Sequence, residues 1–424
     1  MKTSFFKKGR LQPVFLILLT SVFLLGCQGN FMEAEEELNL ALKDAHITEI
    51  DSEGTLPDGA AYEIVLPESW NALPLKILIV YAHGYVDVTK PVALPADKID
   101  GVEIKDILLN GIDYMGQTLP VGYASTSYRA NGLVVLDAVE DILQLRSLLT
   151  TFFEQSEYDE PAAMLLAGVS EGGLITVLTT EQNPGLFDAA IATCCPIGNF
   201  YDQLQYYGHA HVLFKYFFGP SVSGINIGSP RGVSKNTMYA WEAGELPRAI
   251  AEVLQNDYRY NGGNKIRQFI ACAGIPVNMA TQAPEDVIRS LVEVLRFPIM
   301  ATNDAIMRLG GNPYNNKYPP VQYEGSDNDR KLNLTVDRIC RPNWERAKEE
   351  IANYETTGLL YTPLLSMHTE FDHVSLFSHQ GEYATKVGAN PLFIPVPVLD
   401  RYGHCNFTVS EIHEAIGTLL SGMP

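Results

Sequence analysis

The chain has 424 residues, of which 46% are hydrophobic and 19% are charged, with a formal net charge of −20. This is the composition of a globular protein, long enough for one large α/β domain with an insertion or for two domains. The acidic balance excludes nucleic acid as an expected partner, because binding phosphates needs clustered lysine and arginine.

Residues 1–27 are predicted to be an export signal and are set apart from the fold. Basic residues between positions 2 and 10 precede an apolar run at 14–25, which is short for a membrane span. The run ends in Leu-Leu-Gly-Cys27, which resembles a bacterial lipobox and predicts acylation of Cys27. An ordinary signal peptide with an incidental cysteine is the alternative. We expect an exported protein, lipid-anchored to a bacterial membrane or secreted if the lipobox is not used, with residues 28–59 as an acidic tether.

The first half of the chain contains signals for strands and a helix in alternation. Residues 60–66 and 75–81 are predicted strands, and the second is continuously apolar, as in a strand buried on both faces. It leads directly into His83-Gly84-Tyr85. We interpret His83 as a structural histidine that bonds the loop backbone. A further strand at 121–128 and a helix at 133–151 follow.

Residues 164–180 contain an apolar run, the sequence Gly168-Val-Ser170-Glu-Gly172 and an apolar helical segment. This is the strand, tight turn and helix of a nucleophile elbow with G-x-S-x-G spacing. The glycines allow strand and helix to pass close to each other around a strained Ser170. The pattern predicts that Ser170 is a nucleophile.

After a short strand at 187–193 the alternation stops, and residues 197–358 are predicted to form a cap, or lid, inserted into the fold. Helical patterns occur at 239–254, 284–295 and 343–354, separated by glycine- and proline-rich loops. An aromatic segment at 200–218 supplies candidates for a substrate-binding wall, although such clusters more often attach a cap to its core. The candidates are Tyr206, Tyr207, Phe214 and Phe217.

The alternation resumes with strands at 361–368 and 392–399 and a final helix at 411–420, for which Ser410 is a plausible N-cap. Asp372 follows the first strand and His404 the second, so both are expected at the carboxyl edge of a parallel sheet, where sites form. Glu370 and Asp400 are rivals for the acid, and His368 and His373 for the base. Asp372 and His404 are preferred from their places after the strands.

These residues stand in the chain order Ser, Asp, His, and each residue type has a chemical role. Ser170 needs a base to become nucleophilic. His404 can accept the proton and return it to the leaving group, and Asp372 can orient and stabilise His404. The backbone N–H groups of Tyr85 and Glu171 are the expected donors of an oxyanion hole.

No cofactor and no metal site is predicted. His209 and His211 lack a third ligand at suitable spacing, and the cysteine spacings do not resemble those of a zinc site. Five cysteines follow the leader. Disulfides are permissible after export, but an odd number leaves at least one thiol free, and the pairing cannot be read from the sequence.

The arrangement resembles the α/β-hydrolase superfamily over residues 60–422. Several strings are similar to those of exported bacterial serine esterases, including Ser125-Thr-Ser-Tyr-Arg129, Gly311-Asn-Pro-Tyr314 and Gly403-His-Cys-Asn-Phe407. The resemblance implies an α/β class fold with a mostly parallel central sheet flanked by helices. Its core would comprise residues 60–196 and 359–424. Tannase and feruloyl esterase relatives link a cysteine before the serine to one after the histidine, but Val169 makes that disulfide impossible here.

The predicted activity is therefore carboxylic-ester hydrolysis, of the carboxylesterase, lipase or polyesterase kind, on a small-molecule or polymeric ester. The alternatives are an exported serine peptidase of the prolyl-oligopeptidase type and a non-catalytic binding protein with the same fold. The peptidase is disfavoured because too few residues precede the first strand to form a propeller. A membrane is expected as a partner only through the lipid anchor, and the oligomeric state is not predicted.

Overall fold

The computed structural model describes residues 49–340 and 343–422. Its centre is an eight-stranded sheet in the order β1-β2-β4-β3-β5-β6-β7-β8. Strand β2 is antiparallel to β1 and β4, whereas the remaining neighbours are parallel to one another. The strands are β1 Glu49–Thr55, β2 Ala61–Pro67, β3 Ile77–Ala82, β4 Gly122–Thr126, β5 Ala163–Val169, β6 Ala189–Thr193, β7 Leu364–Phe371 and β8 Phe393–Tyr402.

Helices cover both faces of the sheet. A further group of helices, in the chain segment that connects β6 to β7, forms a separate layer. The helices outside that layer are α1 Ile104–Asn110, α2 Val135–Gln155, α3 Glu171–Gln182, α12 Ser378–Val387 and α13 Val409–Ser421. Those within it are α4 Phe200–Phe218, α5 Lys235–Glu242, α6 Glu245–Asn261, α7 Asn264–Ala273, α8 Pro284–Met300, α9 Thr302–Arg308, α10 Asp329–Thr335 and α11 Trp344–Ile351.

Strand β3 shows how the sheet separates two hydrophobic cores. All six of its residues are buried, as its uninterrupted apolar sequence predicts. Alternate side chains point to opposite faces of a strand, so Leu78 and Val80 join the core beneath α2 and α3. Ile77 and Ile79 join the core beneath α1 and α13. The sheet is therefore covered on both sides, and its exposed functional positions are at the strand ends.

The layer between β6 and β7 is a helical cap with a hydrophobic core of its own. Phe214, Leu254, Phe269 and Leu291, from four different helices, are all completely buried in that core. The predicted single helix at 239–254 is wrong, because the chain breaks into α5 and α6. Gly244 lies between them with a left-handed φ of 73°, a conformation that favours glycine and ends the first helix.

This topology is an α/β-hydrolase fold with a helical cap, as expected from the sequence. The predicted boundaries of core and cap remain a prediction. Part of the predicted tether is wrong, since Glu49–Thr55 is strand β1 and pairs along its length with β2. Pairing satisfies backbone groups that a polar tether would leave to water. The leader, Cys27 and residues 28–48 of the predicted tether lie outside the described residues.

The last helix begins two residues earlier than the sequence suggests, at Val409. Ser410 is not its N-cap, because Thr408 accepts a hydrogen bond from the N–H of Glu411, while the Glu411 carboxylate accepts one from the N–H of Thr408. This reciprocal capping box satisfies two donors at once. Within the described ranges, no helix combines the length and apolarity needed to cross a membrane.

Candidate active site

Ser170 lies on the turn between β5 and α3 in a conformation that side chains rarely adopt, with φ 57° and ψ −121°. Its N–H donates to the carbonyl of Thr193 over 2.8 Å, which ties the turn to the end of β6. A Cβ on Gly168 would lie 2.1 Å from the carbonyl oxygen of Gly172, and one on Gly172 would lie 2.0 Å from that of Ala82. Only glycine fits at these two positions, which explains the local sequence.

Ser170, His404 and Asp372 are brought together although they come from three separate parts of the chain. The Nε2 of His404 lies 2.9 Å from the Oγ of Ser170, and its Nδ1 lies 2.7 Å from Oδ2 of Asp372. All three residues follow the carboxyl ends of strands, on β5, β7 and β8. The chain of contacts has the geometry of a nucleophile, a base and a group that orients the base.

Asp372 is completely buried, and its carboxylate is held from both sides. Its Oδ1 accepts hydrogen bonds from the N–H groups of Val374 at 2.8 Å and Ser375 at 3.0 Å. Burial alone would raise the pKa of Asp372, but the positive charge of His404 and a hydrogen bond from His368 hold it below its usual range. Asp372 therefore stays ionised at neutral pH.

The charge of Asp372 acts in turn on His404. Burial would lower the pKa of His404, yet the nearby Asp372 carboxylate overcomes this and raises the pKa to about 9. The imidazolium form is thus stabilised, which is the form that His404 takes after it removes a proton from serine.

The rival residues have other partners. His368 is buried, with its Nε2 2.8 Å from the carbonyl of Ser375, and His373 contacts the Glu293 carboxylate of α8 at 2.8 Å. Glu370 accepts a hydrogen bond from the N–H of Asp400. Within the described ranges, His404 is the one histidine with a hydrogen-bond contact to Ser170.

The loop after β3 packs directly against Ser170. A Cβ on Gly84 would lie 3.3 Å from the Cβ of Ser170, so this backbone passes unusually close to the nucleophile. His83 is buried, stacks on Tyr128 with ring centroids 3.9 Å apart, and contacts the carbonyl of Gly84 through Nδ1. The predicted scaffold role of His83 is confirmed. Tyr85 and Glu171, the predicted oxyanion donors, both flank Ser170 along a pocket wall.

On one side of Ser170 lies a pocket with a mostly apolar lining, here called the apolar pocket. The first two turns of α4 form one wall, and the rest comes from α8, α9, the loop before α2 and the segments that follow β3, β5, β6 and β7. The lining is Tyr85, Leu133, Ser170, Glu171, Pro196, Phe200, Gln203, Leu204, Tyr207, Phe297, Ala301, Ala305 and Ser375.

On the other side lies a more polar cleft, here called the charged cleft. It contains Ser170 and His404, and four charged side chains are among its lining residues: Asp97, Lys98, Glu293 and Arg296. Arg296 is paired with Asp87 at 3.0 Å. Burial opposes ionisation of Glu293, but the hydrogen bond from His373 lowers the pKa of that carboxyl.

Of the four predicted aromatic wall residues, Tyr207 lines the apolar pocket and the other three do not line it. Tyr206 donates to the carbonyl of His373 at 2.7 Å, and Phe214 and Phe217 pack in the core of the cap. The reason is the length of α4. Phe200, Gln203, Leu204 and Tyr207 share one face at helical spacing beside Ser170, whereas Phe214 lies two turns further along that face, against Phe269 of α7.

Among the described residues, one group has the spacing to hold a metal ion, formed by Cys194, His404 and Cys405. The sequence did not predict this group. Cys194 follows β6, whereas His404 and Cys405 follow β8, and the three meet only because these two strands lie on either side of β7. The Sγ of Cys405 lies 3.6 Å from the Nε2 of His404, so an ion here would compete with Ser170 for that nitrogen. His209 contacts the hydroxyls of Tyr314 and Tyr323.

Several residues of the site were missed in the sequence, namely Gln203, Leu204, Phe297 and Ser375. The spacing of the α4 residues was available as a signal, since positions 200, 203, 204 and 207 form one helical face. Phe297 and Ser375 gave no such signal, because they reach the site from the end of a cap helix and from the loop after Asp372.

No protein-family model and no curated protein sequence matches the chain. Solved structures that resemble it include the esterase Pf2001 of Pyrococcus furiosus, with 11% identity, coverage of 93% of this chain and 98% of that chain, and a TM-score of 0.42. Carboxyl esterase 2 of Tuber melanosporum has 12% identity, coverage of 90% and 88%, and a TM-score of 0.42. Oligopeptidase B of Leishmania major has 9% identity, coverage of 89% and 36%, and a TM-score of 0.41. The strand order of the central sheet itself identifies the α/β-hydrolase fold.

Proposed function

We propose that this protein is a serine hydrolase that cleaves carboxylic esters through an acyl-serine intermediate. The observation that carries the proposal is the hydrogen-bonded chain from Ser170 through His404 to Asp372, with contacts of 2.9 and 2.7 Å. A strained serine between a strand and a helix is also the usual setting of such a nucleophile.

In the first half of the reaction, His404 accepts the proton of Ser170 as Oγ attacks the ester carbonyl carbon. The carbonyl oxygen becomes an oxyanion, for which the N–H groups of Tyr85 and Glu171 are the proposed donors. Asp372 stabilises the imidazolium. When the carbon–oxygen bond to the alcohol breaks, His404 donates its proton to the departing oxygen, which leaves an ester between Ser170 and the acyl group.

In the second half, a water molecule takes the place of the alcohol. His404 accepts a proton from this water, and the resulting hydroxide attacks the acyl carbon. Collapse of the second oxyanion releases the acid and returns the proton to Ser170 through His404. The apolar pocket is the proposed site of the acyl group, and the charged cleft, which contains His404, is the proposed exit of the alcohol. An ester is favoured over an amide by the strings that resemble those of bacterial esterases.

The test is hydrolysis of p-nitrophenyl esters by the chain without residues 1–27, in comparison with its Ser170→Ala variant. We expect the wild type to turn over and the variant to lose at least about 10⁴-fold in kcat, because the nucleophile is removed. Ser290→Ala, which removes a buried hydroxyl from α8 outside both pockets, is the matched control and should retain activity. Equal turnover by Ser170→Ala would refute the proposal, and faster turnover of aminoacyl-proline anilides would move it to peptides.

We also propose that the protein is exported and anchored through an acylated Cys27. The basic start, the short apolar run and the Leu-Leu-Gly-Cys sequence support this. Labelled palmitate should be incorporated into the full chain expressed in a bacterium with lipoprotein processing, but not into Cys27→Ser. Equal labelling of the two chains would refute the anchor.

A further inference from the structure

The loop at 372–375, here called the acid loop, is held by two side chains of the cap. The hydroxyl of Tyr206 donates to the carbonyl of His373 over 2.7 Å, and the side-chain amide of Gln203 donates to the carbonyl of Val374 over 2.8 Å. Both donors lie on helix α4 and both are buried, Tyr206 with 6% and Gln203 with 3% of its surface exposed. The cap therefore contacts two consecutive peptide groups of the acid loop by hydrogen bonds.

Each of these peptide groups is bonded on its other side to Asp372. A carbonyl and the N–H of the next residue belong to one planar trans group, so the two point in opposite directions. The group that accepts from Tyr206 includes the N–H of Val374, and the group that accepts from Gln203 includes the N–H of Ser375. These N–H groups donate to Oδ1 of Asp372 at 2.8 and 3.0 Å. Two hydrogen-bonded relays therefore run from the cap to the carboxylate.

The orientation of the Gln203 amide is fixed by a histidine on α12. Burial lowers the pKa of His379 to about 3, so its ring is neutral at neutral pH. The Nδ1 of His379 accepts from the N–H of Asn199 at 3.2 Å, so the ring proton is on Nε2, which lies 2.9 Å from Oε1 of Gln203. The amide oxygen therefore accepts from His379, and the amide nitrogen is left to donate to Val374.

We propose that Gln203 and Tyr206 are positioning residues, which hold Asp372 against His404 through the peptide groups of the acid loop. This inference rests on the proposed ester hydrolysis and gives the cap a role beyond covering the site. A hydrogen bond accepted by a carbonyl polarises its peptide group and strengthens the bond that the N–H of that group donates. The two relays thus orient the carboxylate of Asp372, whose Oδ2 contacts Nδ1 of His404 at 2.7 Å.

The experiment removes each donor of the cap and compares the variant with a similar change on the same helix. Tyr206→Phe deletes only a hydroxyl, and Gln203→Leu deletes an amide. Gln205→Leu is the matched control for Gln203→Leu, because Gln205 is also buried but its amide bonds the backbone at 313–315, within the cap. Tyr216→Phe removes a hydroxyl near the other end of α4 and is the control for Tyr206→Phe.

The substrate is p-nitrophenyl acetate, whose small acyl group leaves most of the apolar pocket unused. Tyr206→Phe and Gln203→Leu should each lower kcat about 3- to 10-fold, the effect of losing one hydrogen bond, and change KM less than about twofold. The double variant should lower kcat about 10- to 100-fold. Tyr206 does not line the apolar pocket, so Tyr206→Phe leaves the proposed acyl site intact. Both controls should keep kcat within about twofold of wild type, even if they lower Tm.

The dependence of kcat/KM on pH distinguishes a positioning role from a merely structural one. Burial alone would lower the pKa of His404, and Asp372 raises it to about 9. Cys194 and Glu293 also raise this pKa, and neither residue is changed in the variants. A displaced carboxylate stabilises the imidazolium less, so the rise of kcat/KM should move to lower pH in the double variant, by about half to one pH unit. Gln205→Leu should have the profile of the wild type.

A measurement without substrate separates this inference from the proposed function. In protein with isotope-labelled histidine, the Nδ1 proton of His404 is identified by its change in Asp372→Asn, and it should exchange with water faster in the double variant than in Gln205→Leu. Wild-type kcat, or a loss of kcat no larger than that of Gln205→Leu with an unshifted pH profile, would overturn the inference alone. Faster exchange without hydrolysis of any ester would refute the proposed function and support the relays.

Discussion

The two sides of Ser170 differ in their chemistry although a single cap helix borders both. Helix α8 contributes Phe297 to the apolar pocket and to the charged cleft, but Glu293 and Arg296 to the cleft alone. In the pocket, most of the wall is hydrocarbon. In the cleft, the charges are paired, Arg296 with Asp87 and Lys98 with Glu103.

The difference between the pocket and the cleft suggests that the enzyme selects the acyl group and the alcohol group of an ester to different degrees. A wall of packed apolar side chains selects by size and shape, because a group that is too large must displace those side chains. Charges that are already paired and partly exposed select weakly, because water and salt screen them. Acyl identity should therefore matter much more than alcohol identity. The following predictions test that contrast, beginning with the catalytic centre that the two sides share.

Asp372→Asn should reduce kcat about 10⁴-fold for every ester, because the amide can hold His404 in the wrong tautomer and cannot stabilise the imidazolium. Steady-state kinetics on one short and one long ester measures the loss. Glu370→Gln is the matched control, since Glu370 contacts the N–H of Asp400 and should be nearly neutral for kcat. A larger loss in Glu370→Gln than in Asp372→Asn would exchange the roles of the two acids.

Leu204→Trp should reduce kcat/KM for long acyl chains about 10- to 200-fold while acetate esters are affected little, because the added ring occupies the apolar pocket. A series of p-nitrophenyl esters from acetate to octanoate measures this. Leu334→Trp on α10, where Leu334 is 76% exposed, makes the same change away from the site and should leave the series unaltered. Uniform loss across the series would mean that the acyl group binds elsewhere.

In the pH profile, kcat/KM should rise at a higher pH than it would if an ordinary histidine were the base. His404 must be unprotonated to act as a base, and its pKa is raised from 6.5 to about 9, so kcat/KM should rise with pH in that interval and then level off. In Asp372→Asn the limb should move to lower pH because the stabilising charge is gone. An unshifted limb in that variant would show that another group titrates.

The same shift acts on stability with a definite sign. A histidine with a raised folded-state pKa stabilises the folded protein fully below pH 6.5, and this contribution is lost as the pH rises through about 9. Thermal unfolding of wild type and Asp372→Asn over this range reports it. A difference in Tm between them that stays constant with pH would contradict the assigned coupling.

The smallest effect is expected in the charged cleft. Lys98→Met should weaken turnover of an acetate ester with an anionic alcohol, 4-hydroxybenzoate, by only about 2- to 5-fold relative to 4-hydroxybenzamide, and added salt should remove the difference. Lys331→Met on the outer surface of the cap is the control. A change as large as that of Leu204→Trp would abolish the contrast between the two sides.

Much of the fold and of the candidate site could be predicted because local patterns specify them. The continuous apolar run of β3 and the glycines around Ser170 depend on burial and backbone geometry at a few adjacent positions. The order Ser170, Asp372, His404 follows from parallel strands that end at the same edge. The break at Gly244 and the strand at Glu49–Thr55 were missed, because the first depends on one backbone conformation and the second on pairing with β2.

The sequence by itself determined which residues form the hydrogen-bonded chain at Ser170, since each lies beside its own strand signal. Only the tertiary structure decided what surrounds them. Phe297 and Ser375 reach the apolar pocket from regions far from Ser170 along the chain, and Glu171 becomes a buried neutral acid only when α3, α9 and the loop before α2 enclose it. Burial and the removal of water depend on how the cap lies over the sheet, and no local pattern contains that information.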